Sequence, residues 1–157
     1  MRWFFLLILI ITIFSCKERT IYKGDIDIIN SSWHTDSVVL FEFEVKDTIS
    51  YFSTELNIRH TVEYPFQNLF IFIKTVTPKG DNIIDTVECI LADKNGKWHG
   101  RGIGDIVDFS MEFNPSTTFK ISGIYKIELE QAMRYSKYSY IEFLEEIVSV
   151  GIDVRKK

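Results

Sequence analysis

Over residues 37–46 the side chains alternate one for one: Val39, Phe41, Phe43 and Val45 stand in one phase, and Val38, Leu40, Glu42 and Glu44 in the other. A repeat of two residues sends successive side chains to opposite faces, which fits a strand with one buried face and rules out a helix. Residues 51–60 repeat it, with Phe52, Leu56 and Ile58 against Glu55, Asn57 and Arg59. The spacing predicts that these two strands form a hairpin through a turn at 47–50.

The rest of the chain continues in the same idiom. Residues 68–76 are apolar on both faces, Leu69, Ile71 and Ile73 against Phe70 and Phe72, as in a central or doubly covered strand. Pro78-Lys79-Gly80-Asp81-Asn82 is a turn, since Pro fixes one torsion and Gly or Asn tolerates a positive one. Strands are expected at 83–91, 106–113, 123–133 and 148–154, the last with Val148, Val150, Ile152 and Val154 on one face. Over 139–146 the spacing of Tyr140, Phe143, Leu144 and Ile147 predicts one helical turn. Seven or eight short strands with turn punctuation define an all-β chain, an antiparallel β-sandwich that is either Ig-like or jelly-roll-like.

The start of the chain is different in kind. Met1 and Arg2 precede an apolar run from Trp3 to Phe14, followed by Ser15 and Cys16. Twelve residues at ~1.5 Å each make a helix of roughly 18 Å, well short of a ~30 Å hydrocarbon core, so the run reads as an export signal and not as a span. Ile13-Phe14-Ser15-Cys16 resembles the lipobox of bacterial lipoproteins, with Phe14 where a small residue is usual. The expected organisation is a signal peptide over 1–15, a lipidated N-terminus and tether over 16–25, and one β-sandwich domain over 26–157. Cys16 is the expected lipid attachment. Each buried methylene contributes about 0.8 kcal/mol, so two or three acyl chains hold a domain firmly to a membrane.

Charge and cysteine use exclude other classes. The net charge is −4 and no basic stripe marks a nucleic-acid partner. With Cys16 acylated, Cys89 is left alone, so no intrachain disulfide is expected and a small buried thiol is the natural reading of Cys89. Asp93-Lys94-Asn95-Gly96 opens like a calcium loop, but the remaining ligands are missing, and an Asx turn is expected instead. Gly100, Gly102 and Gly104 shape a loop around Trp98, with no following helix to bind a pyrophosphate. His34, His60 and His99 fall in unrelated segments without zinc spacing. Glu128 with Glu130, and Glu145 with Glu146, read as solvated faces and not as a facing pair of carboxylates. Trp33-His34 and Tyr64-Pro65-Phe66 read as edge packing, with an aromatic contact surface for a partner or a sugar as the alternative.

A longer set of residues carries a family resemblance. After the signal and Cys16 come Trp33 with Val39-x-Phe41-x-Phe43, Asn57-x-Arg59, and Tyr64-Pro65-x-x-Asn68-Leu69-Phe70. Then come Asp85-Thr86-Val87-Glu88, Leu91-Ala92-Asp93-x-x-Gly96-Lys97-Trp98-x-Gly100-x-Gly102-x-Gly104-Asp105, Glu130-Gln131-Ala132-Met133-Arg134 and Val150-Gly151-Ile152. Together these resemble the gliding motility lipoprotein family GldH of Bacteroidota. His99 departs from the aliphatic residue expected there. The resemblance implies a non-enzymatic lipoprotein of the cell envelope, anchored in the outer membrane through Cys16. Its partners would be other gliding or type IX secretion envelope proteins, and it implies no cofactor, metal or small-molecule substrate. The rival expectation is a surface carbohydrate-binding lipoprotein; a hydrolase would need a cleft that the spacings do not specify.

Overall fold

The computed structural model describes residues 19–135 and 140–157, so Cys16 and the export signal lie outside the described residues. The strands are β1 (Thr20–Asp27), β2 (Ser32–His34), β3 (Val39–Val45), β4 (Phe52–Thr61), β5 (Asn68–Val76), β6 (Asn82–Ile90), β7 (Arg101–Ile103), β8 (Ile106–Thr117), β9 (Gly123–Gln131), β10 (Phe143–Glu145) and β11 (Ile147–Lys156). They form a five-stranded sheet β1-β11-β4-β8-β7, a four-stranded sheet β3-β9-β5-β6 and a small pair β10-β2.

Setting aside the three-residue strands β2, β7 and β10, eight strands remain. They pair as a folded-back ribbon, all antiparallel: β1 with β11, β3 with β9, β4 with β8, β5 with β6. Pairing of β11 with β4 and of β9 with β5 then stitches the ribbon into two sheets. That wrapping is the jelly roll, which decides between the two sandwich types the sequence allowed.

Inner faces supply the core. Phe41, Phe43 and Val45 of β3, Leu69, Ile71 and Ile73 of β5, and Ile127 and Leu129 of β9 meet Phe52, Leu56 and Ile58 of β4 and Val150, Ile152 and Val154 of β11, all buried. Each such side chain contributes about 1.5–3 kcal/mol relative to exposure. At one end Tyr22, Phe119 and Tyr125 gather around Phe43, with ring centroids 5.4, 5.7 and 6.1 Å from it.

Four local expectations are corrected. β3 and β4 are not a hairpin, because they belong to different sheets. The Asp47 carboxylate accepts hydrogen bonds from the Ser50 hydroxyl (2.7 Å) and from the amides of Ile49 and Ser50 (3.0 Å each), and it pairs with the Lys156 ammonium. Those contacts, Lys156 foremost, hold its carboxyl well below the usual range and turn the chain across the sandwich. Residues 140–146 are not helical: β10 pairs with β2, with Leu144 opposite Trp33, and Glu146 then takes φ 71° before β11 begins. Residues 20–25, expected as tether, are the first part of β1, where Tyr22 packs on Phe41 and Phe43. Finally, a register shift between Ile147 and Ser149 turns Ile147 fully inward and leaves Val148 only half-buried, out of phase with Val150.

Glycines at two positive-φ positions differ in what surrounds them. Gly80 (φ +90°) sits in open space, whereas a Cβ on Gly100 (φ +102°) would collide with the carbonyl oxygen of Asp108 on β8. Gly80→Ala should therefore cost roughly 1 kcal/mol from backbone strain alone. Gly100→Ala adds a steric clash and should cost roughly 2–3 kcal/mol, because the strain term is joined by displacement of β7. Urea unfolding midpoints of the two variants check the difference, and equal losses would contradict it.

Candidate functional site

Most side chains that invited a functional reading are occupied structurally. The Asp93 carboxylate accepts from the amides of Asn95 (2.8 Å) and Lys97 (2.9 Å), the expected Asx-type turn. Gly102 brings β7 against Ile106, and Gly104 (φ +65°) turns the chain from β7 into β8. Glu128 pairs with Lys74 at 2.9 Å, and Glu145 accepts from the Ser32 hydroxyl at 2.9 Å. Cys89 is buried, and desolvation pushes its thiol up to about 12, which keeps it protonated and inert. Among the described residues no group of three His, Cys, Asp or Glu side chains is placed to hold a metal ion.

The aromatic pairs divide. Trp33 is fully buried and donates from Nε1 to the Ser37 carbonyl at 2.9 Å, and Tyr64, also buried, donates to the Asn68 carbonyl at 3.1 Å. Burial pushes the Tyr64 hydroxyl well above its ordinary value. Neither offers a platform to a sugar, as the aromatic-contact alternative required. His34 packs its ring on Phe143 at 4.8 Å, and its Nδ1 accepts from the Asp36 amide at 3.0 Å.

His60 is the least expected of the three histidines. It is wholly buried between Trp98 (4.6 Å) and Tyr64 (5.6 Å). Its Nδ1 lies 2.8 Å from the Thr61 carbonyl, which can only accept, so Nδ1 carries the proton and donates. Nε2 is left without a hydrogen-bond partner. Burial outweighs the Thr61 contact and lowers the imidazole pKa below its ordinary value.

Phe66, the third of the expected aromatics, borders a recess on the outer face of the four-stranded sheet. Phe70 and Phe72 project outward from β5 beside Glu88 and Thr86 of β6, and on the other side Glu130 of β9 lies opposite Phe72. Beyond β9 the chain stays on the sheet because Ala132 donates to the Phe70 carbonyl (2.8 Å) and the Phe70 amide contacts the Met133 sulfur (3.3 Å). Gln131, 2% exposed, is the staple: its Oε1 accepts from the Met133 amide (2.9 Å) and its Nε2 donates to the Ile141 carbonyl (2.6 Å). The resulting depression is about 560 Å³, floored by Phe70, Phe72 and Met133 and rimmed by Tyr135 and Arg134. Its chemistry is that of a receptor for apolar side chains with one cation at the rim. Sequence reasoning marked Phe70 and Phe72 as covered; the recess itself depends on Gln131, a buried polar residue at the end of a strand that no period reveals.

The fold and this surface define an antiparallel jelly-roll domain carrying an apolar surface recess. The chain belongs to the GldH lipoprotein family, whose model matches residues 20–154. It is 35% identical over 153 residues to the gliding motility lipoprotein GldH of Flavobacterium johnsoniae, covering 97% of this chain and 94% of that protein. It is 33% identical to a gliding motility lipoprotein GldH homolog of Christiangramia forsetii, over 98% of this chain and 94% of that one. Among solved structures, a chain of infectious bursal disease virus Gx strain aligns with 89% of this chain and 32% of its own length, at 16% identity and a TM-score of 0.41, a likeness too loose to carry an argument.

His60 makes stability pH-dependent in a definite direction. The unfolded chain binds a proton near the ordinary histidine value of about 6.5, and the folded chain only at lower pH, so the unfolded state gains protons first. Stability should be full above about pH 7 and fall from there toward pH 5, by up to about 1.4 kcal/mol per pH unit. Denaturant titrations at pH 7 and 5 check this. His60→Phe should flatten that window, and an unchanged slope in the variant would show that another group is responsible.

Proposed function

We propose that this chain is a lipid-anchored component of the outer membrane, held by acyl chains on Cys16, that serves gliding motility and the associated type IX secretion machinery without catalysing a reaction. One observation carries the reading: the match to the lipoprotein family over residues 20–154 begins four residues after Cys16, which follows the apolar run from Trp3 to Phe14 that reads as an export signal. Relatives of nearly the same length bear the name of gliding motility lipoproteins. The polar clusters already engaged in turns and cross-strand pairs also favour a role in assembly over chemistry.

The mechanism is tethering. A domain confined to one membrane meets partners in the same membrane at a high effective concentration, so a modest recess suffices for association. The partners are other envelope proteins of that machinery. A sugar-binding reading loses two of its three aromatic anchors, since Trp33 and Tyr64 are buried.

Deleting the gene should impair colony spreading or export of type IX cargo, and restoring it should reverse the defect. Cys16→Ser should abolish fatty-acid labelling, release the protein from membranes and fail to complement. Normal spreading and secretion in a clean deletion would sink the functional reading; undiminished labelling of Cys16→Ser would sink the anchor.

A further inference from the structure

We infer that β6 is an open docking edge that accepts an extended, apolar and basic strand from a partner protein, adding a fifth strand to the four-stranded sheet. This deepens the assembly role proposed above and rests on it. The two sheets present four edges, and three are protected in the ways natural sheets use. β1 has a bulge between Thr20 and Tyr22 and carries Lys23, Asp25 and Asp27. β7 is three residues long, and β3 exposes Glu42 and Glu44 with Leu40 as its one exposed apolar residue. Of these devices β6 shares only the charges, at Asp85 and Glu88. It runs nine residues with no register shift, Pro, Gly or Lys, and exposes Ile83 (62%), Ile84 (63%) and Ile90 (49%).

The backbone groups on that edge can be assigned. The Leu91 amide donates to the Gln67 carbonyl at one end of β6, and the Asp81 carbonyl accepts from Thr77 at the other, both at 2.8 Å. Odd-numbered residues therefore direct their N–H and C=O toward β5 throughout this regular register. The corresponding groups of Ile84, Thr86, Glu88 and Ile90 point to the free side, where β6 has no neighbour among the described residues.

A recess flanks the edge on each side of the sheet. Outside lies the aromatic depression that includes Thr86, whose small side chain leaves Phe72 within reach of a partner residue. Inside lies a groove of about 340 Å³ between the sheets, bordered by Ile83, Asp85 and Phe113. That groove exists because β7 pairs only with Ile106–Asp108, leaving Phe109, Met111 and Phe113 half-covered along the rest of β8. An added strand would form the ladder bonds and place alternate side chains in the two recesses, the division of affinity and specificity typical of strand addition.

Charge selects the occupant. From Asp81 to Leu91 the chain carries Asp81, Asp85 and Glu88 and no Lys or Arg. A second copy paired about Thr86 would bring Asp85 of each chain diagonally together with no cation between them, an unfavourable arrangement. A strand that sets one Lys or Arg beside Asp85 and another, on its opposite face, beside Glu88 complements the edge instead.

The test uses the acylated full chain in detergent micelles and two fluorescent nonapeptides. Both alternate valine with threonine; one carries two lysines and the other glutamates at those positions. Anisotropy should show the lysine peptide binding at least tenfold tighter than the glutamate peptide. Thr86→Pro removes one free-side N–H, and Ile84→Lys blunts the edge at an exposed site; each should weaken binding at least tenfold with little change in unfolding midpoint. Glu88→Lys should reduce the preference for the lysine peptide, because Asp81 and Asp85 then face one added cation. No binding, equal binding of both peptides, or equal binding by wild type and Ile84→Lys overturns the proposal. A concentration-dependent dimer abolished by Thr86→Pro also overturns it, because the occupant is then a second copy. A deletion strain that glides and secretes normally would remove the assembly reading whatever the peptides do, so the two failures are separable.

Discussion

Everything in this domain depends on burying β11 on both faces. Its inner residues Val150, Ile152 and Val154 are wholly buried in the shared core, but Ser149, Gly151 and Asp153 on the opposite, outward face are buried as well. That is possible because the outward row is small or internally satisfied. Asp25 lies over Gly151 so closely that no side chain would fit there. Asp153 is held by the Arg155 guanidinium (2.7 Å), the Asn57 amide (3.1 Å) and Lys23 (3.5 Å), partners enough to offset the cost of desolvating a carboxylate. With β11 in place between β1 and β4, the first and last strands are neighbours and the ribbon closes. Pairings so distant in sequence must overcome loop-closure entropy before they stabilise anything, which puts the chain among slow-folding topologies.

How much of this was legible depends on whether a residue's role was set by its near neighbours. The inward phase of β3 follows from Val39, Phe41, Phe43 and Val45 alone, and burial alternates along it without exception. The Asx turn at Asp93 was readable because its acceptor and donors lie within four residues. Pairing was not readable in the same way. β3 and β4 each need an apolar neighbour across the core, and alternation cannot say whether a strand stands beside its predecessor or opposite it; the Asp47 to Lys156 contact that helps decide it joins residues far apart in sequence. The three-residue β10 has a single inward side chain, Leu144, so no period could reveal it, and its aromatic neighbours mimicked a helical spacing. The recess was hidden for a related reason: Phe70 and Phe72 looked covered on both faces, and their outer face was in fact shaped by Gln131 and Met133, bonded through Ile141.

The outer faces of the two sheets differ. The outer face of the five-stranded sheet is ordered by ion pairs and hydrogen bonds among its own residues, such as Arg59 with Asp108 at 2.6 Å and Ser110 with Asn57 at 2.7 Å. Across the sandwich, the four-stranded sheet ends in β6, whose Ile83, Ile84 and Ile90 are exposed and whose free-side backbone groups have no partner strand among the described residues. A lipid anchor ahead of residue 20 would let the domain keep such an edge available, since membrane confinement limits the encounters that a free edge otherwise invites.

The jelly roll leaves one edge of the four-stranded sheet, β6, open to a further strand. Residue-resolved amide hydrogen exchange along β6 tests it directly. The account predicts alternation in the isolated protein: slow exchange at Ile83, Asp85, Val87 and Cys89, whose amides face β5, and fast exchange at Ile84, Thr86 and Glu88. Uniform protection along β6 would mean that its outer edge is already covered and would contradict the account.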